Sequence, residues 1–167
     1  NLAQEQIHTP TLAGIAQRLS GFSSLAEALR YAAQGASGYN FYDARGRLSC
    51  VLPYRQLLEQ AEELALRLAS LNLPRGARVG ILAETDPLFH RFFFACQLAG
   101  LIPVGLPAGF QLGGGDQYVE QLRRLLAGCG AAIAVAPESH VHFLERAVEP
   151  LSLRLSGSAA VFDALPG

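Results

Sequence analysis

Three short apolar runs, Arg78-Val79-Gly80-Ile81-Leu82-Ala83, Ile102 to Leu106 and Ala131 to Ala136, alternate with stretches whose apolar residues recur at helical spacing. A run that is apolar on both sides of its pleat suits a strand covered on both faces. Strands that take turns with helices pack as a parallel sheet joined by crossovers. The expected fold class is therefore α/β, a mostly parallel sheet flanked by helices.

The intervening stretches carry their own start and stop signals. From Pro53, the positions Tyr54, Leu57, Leu58, Ala61, Leu64, Ala65, Leu68 and Leu71 trace one helical face, and Pro74-Arg75-Gly76 breaks it. Thr85 or Asp86 is placed to cap the next helix, with Pro87 in its first turn and Gly100 closing it. That helix, LFHRFFFACQLAG, is apolar nearly all round, which predicts a position between layers. Asp116 is expected to cap a helix bearing Val119, Leu122, Leu125 and Leu126 on its buried face and ending at Gly128 or Gly130. A last helix is expected over Val141 to Val148, and Ala159-Ala160-Val161-Phe162 reads as one more strand.

The region before Pro53 reads differently. TPTLAGIAQRL predicts a short helix within a lead of residues 1–20, with Leu12, Ile15, Ala16 and Leu19 on one face. A second helix is expected from Ser24, capped by Ser23 or Ser24 and ended by Gly35. GYNFYDARGRLSCVL alternates on both sides of Asp43-Ala44-Arg45-Gly46, the pattern of a β-hairpin with Gly46 at a positive φ.

Composition narrows the function classes. The 167 residues are 50% hydrophobic and 16% charged with a formal net charge of -1, which suits a single globular domain. Scattered arginines give no electrostatic footprint for a nucleic acid. No apolar run is long enough to cross a bilayer, and NLAQEQIHTP has neither a basic nor an apolar leader region, so a cytoplasmic protein is expected. Cys50, Cys96 and Cys129 lie far apart among apolar neighbours, without metal-ligand spacing, and are expected as buried reduced thiols.

Candidate chemistry is sparse. Gly109 to Gly115, GFQLGGG, lies between a strand and a helix start, where backbone N–H groups can hold a phosphate. It lacks the Gly-Lys-Ser/Thr of a Walker loop, and Asp116 sets negative charge where a phosphate would sit, so a flexible loop is expected. His140 and His142 form HxH, which on a helix turns the two rings to different faces and leaves a metal short of ligands. His90 beside Arg91 reads as the polar rim of its helix. Ser139-His140 is adjacent in sequence only, without a GxSxG elbow. Glu62-Glu63 is helix surface, and Arg123-Arg124 with Glu120 is a solvated face with a Glu120–Arg124 pair.

The order of segments resembles a known family. LPYRQLLEQAEELALRLASLNLPRGARVGILAETDPLFHRFFFACQLAGLIPVGLP is similar to the N-terminal region of acyl-adenylate-forming (AMP-binding) enzymes. In that family a Leu-Thr/Ser-Tyr-x-Glu-Leu segment opens a helix, Gly-Asp-x-Val opens a strand, and Lys/Tyr-Ala-Gly-Ala-x-x-Val-Pro joins helix to strand. Here they correspond to Leu52-Pro53-Tyr54-Arg55-Gln56-Leu57, Gly76-Ala77-Arg78-Val79 and Leu98-Ala99-Gly100-Leu101-Ile102-Pro103-Val104-Gly105-Leu106-Pro107. Pro53, Ala77 and Gly105-Leu106 depart from the pattern. The resemblance covers roughly Phe22 to Phe162 and leans toward the fatty acyl-AMP ligase and long-chain acyl-CoA synthetase branches.

The resemblance implies that residues 21–167 are the N-terminal subdomain of an enzyme that uses MgATP to turn a carboxylic or fatty acid into an acyl-AMP. The acyl group then passes to the thiol of CoA or of a carrier protein. It also implies a chain cut before the nucleotide loop and inactive alone, whose partner is the remainder of the enzyme and whose uncovered apolar surface self-associates. The family's Ser/Thr/Gly-rich phosphate loop does not occur before Gly167, and the sequence contains no lysine. Catalytic, cofactor-binding and metal-binding roles are accordingly assigned to none of these residues. The rival expectation is a non-catalytic interaction module that keeps half of the fold.

Overall fold

The computed structural model describes residues 14–16, 18, 21–109 and 114–167. Most of TPTLAGIAQRL, where a helix is expected, and most of the GFQLGGG loop lie outside the described residues. Backbone contacts divide the chain into residues 1–56 and residues 57–167.

In the first unit, helix α1 (Leu25–Ala32) starts at Ser24, whose side chain accepts from the Glu27 N–H at 3.2 Å, while the Glu27 carboxylate returns to the Ser23 N–H at 2.7 Å. The backbone and side-chain hydrogen bonds from Ser23 hold the Glu27 carboxyl below its ordinary pKa. The helix ends at Ala33, two residues before the expected Gly35. Strands β1 (Gly38–Tyr42) and β2 (Leu48–Pro53) pair antiparallel, as the alternation predicts. Their loop is closed by Asp43, which accepts from the N–H groups of Arg45 and Arg47, and by Gly46 at φ 73°.

Helix α2 (Tyr54–Ala69) follows directly on β2, and its residues Ala61, Leu64, Ala65 and Leu68 enter the core of the second unit. That core is built on strands β3 (Arg78–Ala83), β4 (Ile102–Pro107), β5 (Ala131–Val135) and β6 (Leu155–Gly157), all parallel, in the order β4-β3-β5-β6. Helix α3 (Pro87–Leu98) links β3 to β4, α4 (Gly115–Cys129) links β4 to β5, and α5 (Val141–Val148) links β5 to β6. The pleat sorts the two faces. Val79, Ile81, Ile133 and Val135 pack with α2, α3 and Phe162, whereas Leu82, Leu106 and Ala134 pack with α4 and α5. Each fully buried Leu, Ile or Phe in these layers contributes about 1.5–3 kcal/mol of transfer free energy.

Several expectations are corrected. Residues Ala159–Asp163 form a helix, α6, not a strand; the edge strand is the preceding Leu155–Gly157. Phe162 thereby turns edge-on to Phe92 at 5.2 Å in the core. Asp116 does not cap α4: the N-cap is Gly114, without a side-chain bond, and Asp116 is paired with Arg146 at 2.6 Å. Leu125 is 39% exposed rather than on the buried face. Cys96 alone of the three thiols is fully buried; Cys50 and Cys129 are half-buried, and all three are free. Helix α3 has no fully exposed residue, yet only Phe92, Ala95 and Cys96 are wholly buried, so its outer side is half-covered.

The β4 edge is blunted. The Ile102 N–H donates to Ala77 O at 2.9 Å, so alternation turns Ile102, Val104 and Leu106 toward β3 and Pro103, Gly105 and Pro107 outward. Two of those three outward positions lack an N–H, which opposes pairing with another strand.

Candidate functional site at the carboxyl ends of the strands

In a sheet of order β4-β3-β5-β6 the chain leaves β3 toward β4 on one side and later returns to β5 on the other. Loops after β3 and β5 therefore diverge, and the carboxyl ends of these two strands form the place where open α/β sheets bind ligands. Glu84 stands immediately after β3, and Ser139 and His140 lie in the 3-10 turn after β5 (Glu138–His140). The fold brings them together: His140 Nδ1 is 2.8 Å from Ser139 Oγ and 3.1 Å from Glu84 Oε1. The hydroxyl and imidazole of Ser139-His140 thus meet in space as well as in sequence.

This triangle is not a nucleophilic triad. A serine nucleophile needs its base at one ring nitrogen and the orienting carboxylate at the other, whereas Ser139 and Glu84 both address Nδ1. Tyr118 of α4 walls the cluster, its ring 6.1 Å from that of His140. The Tyr118 hydroxyl donates to Pro107 O at 2.8 Å, at the end of β4. Burial raises its pKa, the Gly109 N–H lowers it, and the Glu84 charge raises it again.

The remaining candidates fall apart or join the scaffold. His142 is exposed, its ring against Phe143, and does not converge with His140 on a metal. Among the described residues no group of three or more His, Cys, Asp or Glu is arranged to hold a metal ion. His90 is half-buried at the helix rim, with Nδ1 3.1 Å from Asp86 O. Asp86, not Thr85, caps α3 by accepting from the Phe89 N–H. Glu120 pairs with Arg123 rather than Arg124, because Arg123 also reaches the carbonyls of Arg146 and Ala147 on α5.

A second concavity is a cleft of about 500 Å³ lined by Gln60, Glu63, Pro87, Leu88, Arg91 and Asp163. Its charges are spoken for: Arg91 forks onto Asp163, and Arg67 bonds Glu63 and the carbonyls of Asp163 and Leu165. It clasps α6 and offers no free cation or carboxylate for chemistry.

Sequence reading missed Glu84 and Tyr118. The usable signal for Glu84 was its place directly behind an apolar strand run, since such positions sit at the ligand-binding edge of a parallel sheet. Tyr118 had none, because its hydroxyl partner is set by how α4 crosses β4.

A parallel α/β sheet of this order, following an antiparallel hairpin in the chain, serves many activities, and the family comparison says which family this chain belongs to. Residues 37–163 match the family of AMP-binding enzymes, and the chain belongs to it, in its N-terminal region. It is 42% identical over 129 residues to the "Putative acyl-CoA synthetase" of Caulobacter vibrioides, covering 77% of this chain and 23% of that protein. A solved structure from a study of the fatty acyl-adenylate ligases of E. coli and L. pneumophila superposes with a TM-score of 0.81 at 40% identity, over 87% of this chain and 26% of that one. Drosophila melanogaster Disco-interacting protein 2 is 30% identical over 108 residues, 58% of this chain and 6% of that protein. The chain thus spans about a quarter of the length of the acyl-CoA synthetase and ligase it matches.

Proposed function

We propose that residues 21–167, behind a lead of residues 1–20, are the N-terminal subdomain of a cytoplasmic, ATP-dependent acyl-adenylating enzyme. The whole enzyme would activate a fatty or other carboxylic acid as acyl-AMP and hand the acyl group to the thiol of CoA or of an acyl-carrier protein. The observation that carries this reading is the 42% identity to an acyl-CoA synthetase relative of which this chain covers only 23%. No helix among the described residues is long and apolar enough to cross a membrane.

MgATP does not fit the residues present. Stabilising charge on a reacting phosphate needs cations and aimed donors. Here the sequence has no lysine, and among the described residues no arginine is hydrogen-bonded or ion-paired to Glu84, Ser139 or His140 at the carboxyl ends of β3 and β5. On this reading the nucleotide and its magnesium are held by the remainder of the enzyme, outside the quarter of its relatives' length that this chain spans.

ATP–pyrophosphate exchange tests the reading: residues 1–167 alone are expected to show none, and the native polypeptide, several times larger on an immunoblot of source cells, is expected to exchange. Exchange by residues 1–167, or a native band of their own size, contradicts it. We also propose self-association of the isolated chain through uncovered apolar surface. Exposed Tyr42, Leu48 and Val51 share one face of the hairpin, as their cross-strand register dictates. Sedimentation is expected to show mass rising with concentration; a strict monomer overturns this. The likeness to Disco-interacting protein 2 favours the second reading, a non-catalytic interaction module, which full-length protein without exchange activity would support.

A further inference from the structure

The fold sorts charge by the direction of the strands. The segments that lead into β3, β4, β5 and β6, each with its first strand residue, are residues 70–78, 99–102, 128–131 and 149–155; they carry Arg75, Arg78 and Arg154 against one carboxylate, Glu149. The loops that leave β3, β4 and β5, residues 84–86, 108–116 and 136–140, carry Glu84, Asp86, Asp116 and Glu138 and no arginine. Arginines scattered along the chain are thus gathered at the amino-terminal edge of one sheet.

Helix ends account for their places. Helix α3 closes at Gly100 and α4 at Gly130, both at positive φ, and the negative end of a helix favours positive charge. Arg75 Nη1 lies 3.3 Å from where a Gly100 Cβ would stand, and Arg78 Nη1 3.9 Å from where a Gly130 Cβ would stand. Arg75, Arg78 and Arg154 are all exposed, and among the described residues none has a side-chain hydrogen bond or ion pair. Nothing in this chain neutralises them.

Their spacing follows the sheet. Register sets Ile102, Arg78 and Ala131 side by side on β4, β3 and β5, and on the far side of β5 the Arg154 N–H donates to Ala132 O at 2.7 Å. Neighbouring strands lie about 4.8 Å apart, so Ile102, Arg78 and Arg154 follow one another at steps of about 5 and 10 Å. Ile102 is 47% exposed and gives the row an apolar start. On a helix, four and seven residues rise about 6 and 10.5 Å, and positions i, i+4 and i+11 share one face.

We propose that this edge docks an acidic helix of a partner protein. An apolar side chain of that helix sits on Ile102, and carboxylates four and eleven residues further on face Arg78 and Arg154, with Arg75 flanking the start. A phosphoryl group would need guanidinium groups converging on one point, which the 10 Å step between Arg78 and Arg154, about two strand spacings, opposes. A lipid surface would need an apolar face to insert, and among the described residues of these segments Ile102 is the one exposed large apolar side chain. The surface lies at the opposite end of the sheet from Glu84 and His140, and it does not depend on the acid-activating reading.

Nitrogen-15 amide spectra of residues 1–167, titrated with an Ala/Gln-based helical peptide of about 16 residues bearing one Leu and Glu four and eleven residues on, test this. The expected shifts centre on Arg75, Arg78, Ile102 and Arg154 at low ionic strength and fade as salt rises. A control peptide with both Glu moved to the opposite face, six and nine residues on, is expected to bind about tenfold more weakly. The Arg78→Glu, Arg154→Glu double variant is expected to lose the Glu peptide and to bind its Lys counterpart, which a misfolded chain would not; Arg45→Glu on the hairpin changes nothing. No binding, equal binding of the two Glu peptides, or a double variant that binds neither the Glu nor the Lys peptide overturns the proposal. Binding of phosphatidylserine vesicles or duplex DNA as tight as that of the peptide at the same salt, and lost in the same double variant, overturns it in favour of a general anion surface.

Discussion

Arg91 on α3 and Asp163 at the end of α6 meet as a two-pronged pair, Nη1 to Oδ2 at 3.2 Å and Nη2 to Oδ1 at 2.5 Å, although 72 residues separate them. The Arg91 side chain is 18% exposed and the Asp163 side chain 43%, so water screens this pair only on one side. The pair fastens the last helix of the chain to the first helix of the parallel sheet.

Removing either partner is expected to cost about 1.5–3 kcal/mol, the range for hydrogen bonds to charged groups. Urea denaturation of Arg91→Ala, Asp163→Ala and the double variant checks it, and a double variant no worse than the worse single one shows that the two act on each other. Strict additivity would show that the fork contributes nothing of its own.

Phe162→Ala is expected to destabilise by about 3–5 kcal/mol, because the ring is fully buried against Phe92 and leaves a cavity. Leu66→Ala, at a site 65% exposed, is expected to change stability by less than about 0.5 kcal/mol. Thermal or chemical unfolding distinguishes them, and equal costs would contradict the core described above.

Two glycines are expected to resist substitution for different reasons. At Gly80 an added Cβ would lie 2.7 Å from Leu126 Cδ2 and 3.2 Å from Leu106 Cδ1, so Gly80→Ala overpacks the layer between β3 and α4 at a cost of about 1–3 kcal/mol. At Gly157, φ is 154° and a Cβ would meet Val161 Cγ2 at 2.8 Å, so backbone strain adds to crowding where β6 passes into α6. Gly128→Ala, with open space around its Cβ and a helical backbone, is expected to be neutral or stabilising in the same assay.

Burial pushes the Cys96 thiol up to about 12 from 9.0. The unfolded chain then loses this proton first as pH rises, so N binds more protons than U across that window and stability falls between about pH 9 and 12, by at most about 1.4 kcal/mol per pH unit. The Cys96→Ala variant is expected to lose this part of the alkaline slope. Below pH 9 a thiol reagent is expected to label half-buried Cys50 and Cys129 first and Cys96 only on unfolding.

Local sequence was sufficient wherever the deciding partner lay within a few residues. The caps narrow to Ser23 or Ser24 and to Thr85 or Asp86 because the bonded N–H groups lie three residues on from Ser24 and Asp86, Gly46 closes the hairpin with Asp43 three residues before it, and the helical face of α2 follows from spacing alone. The order of motifs around Leu52–Leu57, Gly76–Val79 and Leu98–Pro107 also sufficed for the family, since it reflects that same run of elements.

Tertiary structure decided what depends on distant partners. Ala159–Phe162 is too short for its period to separate strand from helix, and packing of Phe162 on Phe92 with Arg91 on Asp163 settles it as a helix. Asp116 and Arg123 find their partners across the α4–α5 contact, Asp116 on Arg146 and Arg123, while it holds Glu120, on the carbonyls of Arg146 and Ala147. The strand order β4-β3-β5-β6 arises from crossover packing, and only that order sets Glu84 beside His140. Capping and periodicity are short-range and legible in the chain; side-chain competition and strand neighbourhood are settled by which burial satisfies most partners at once.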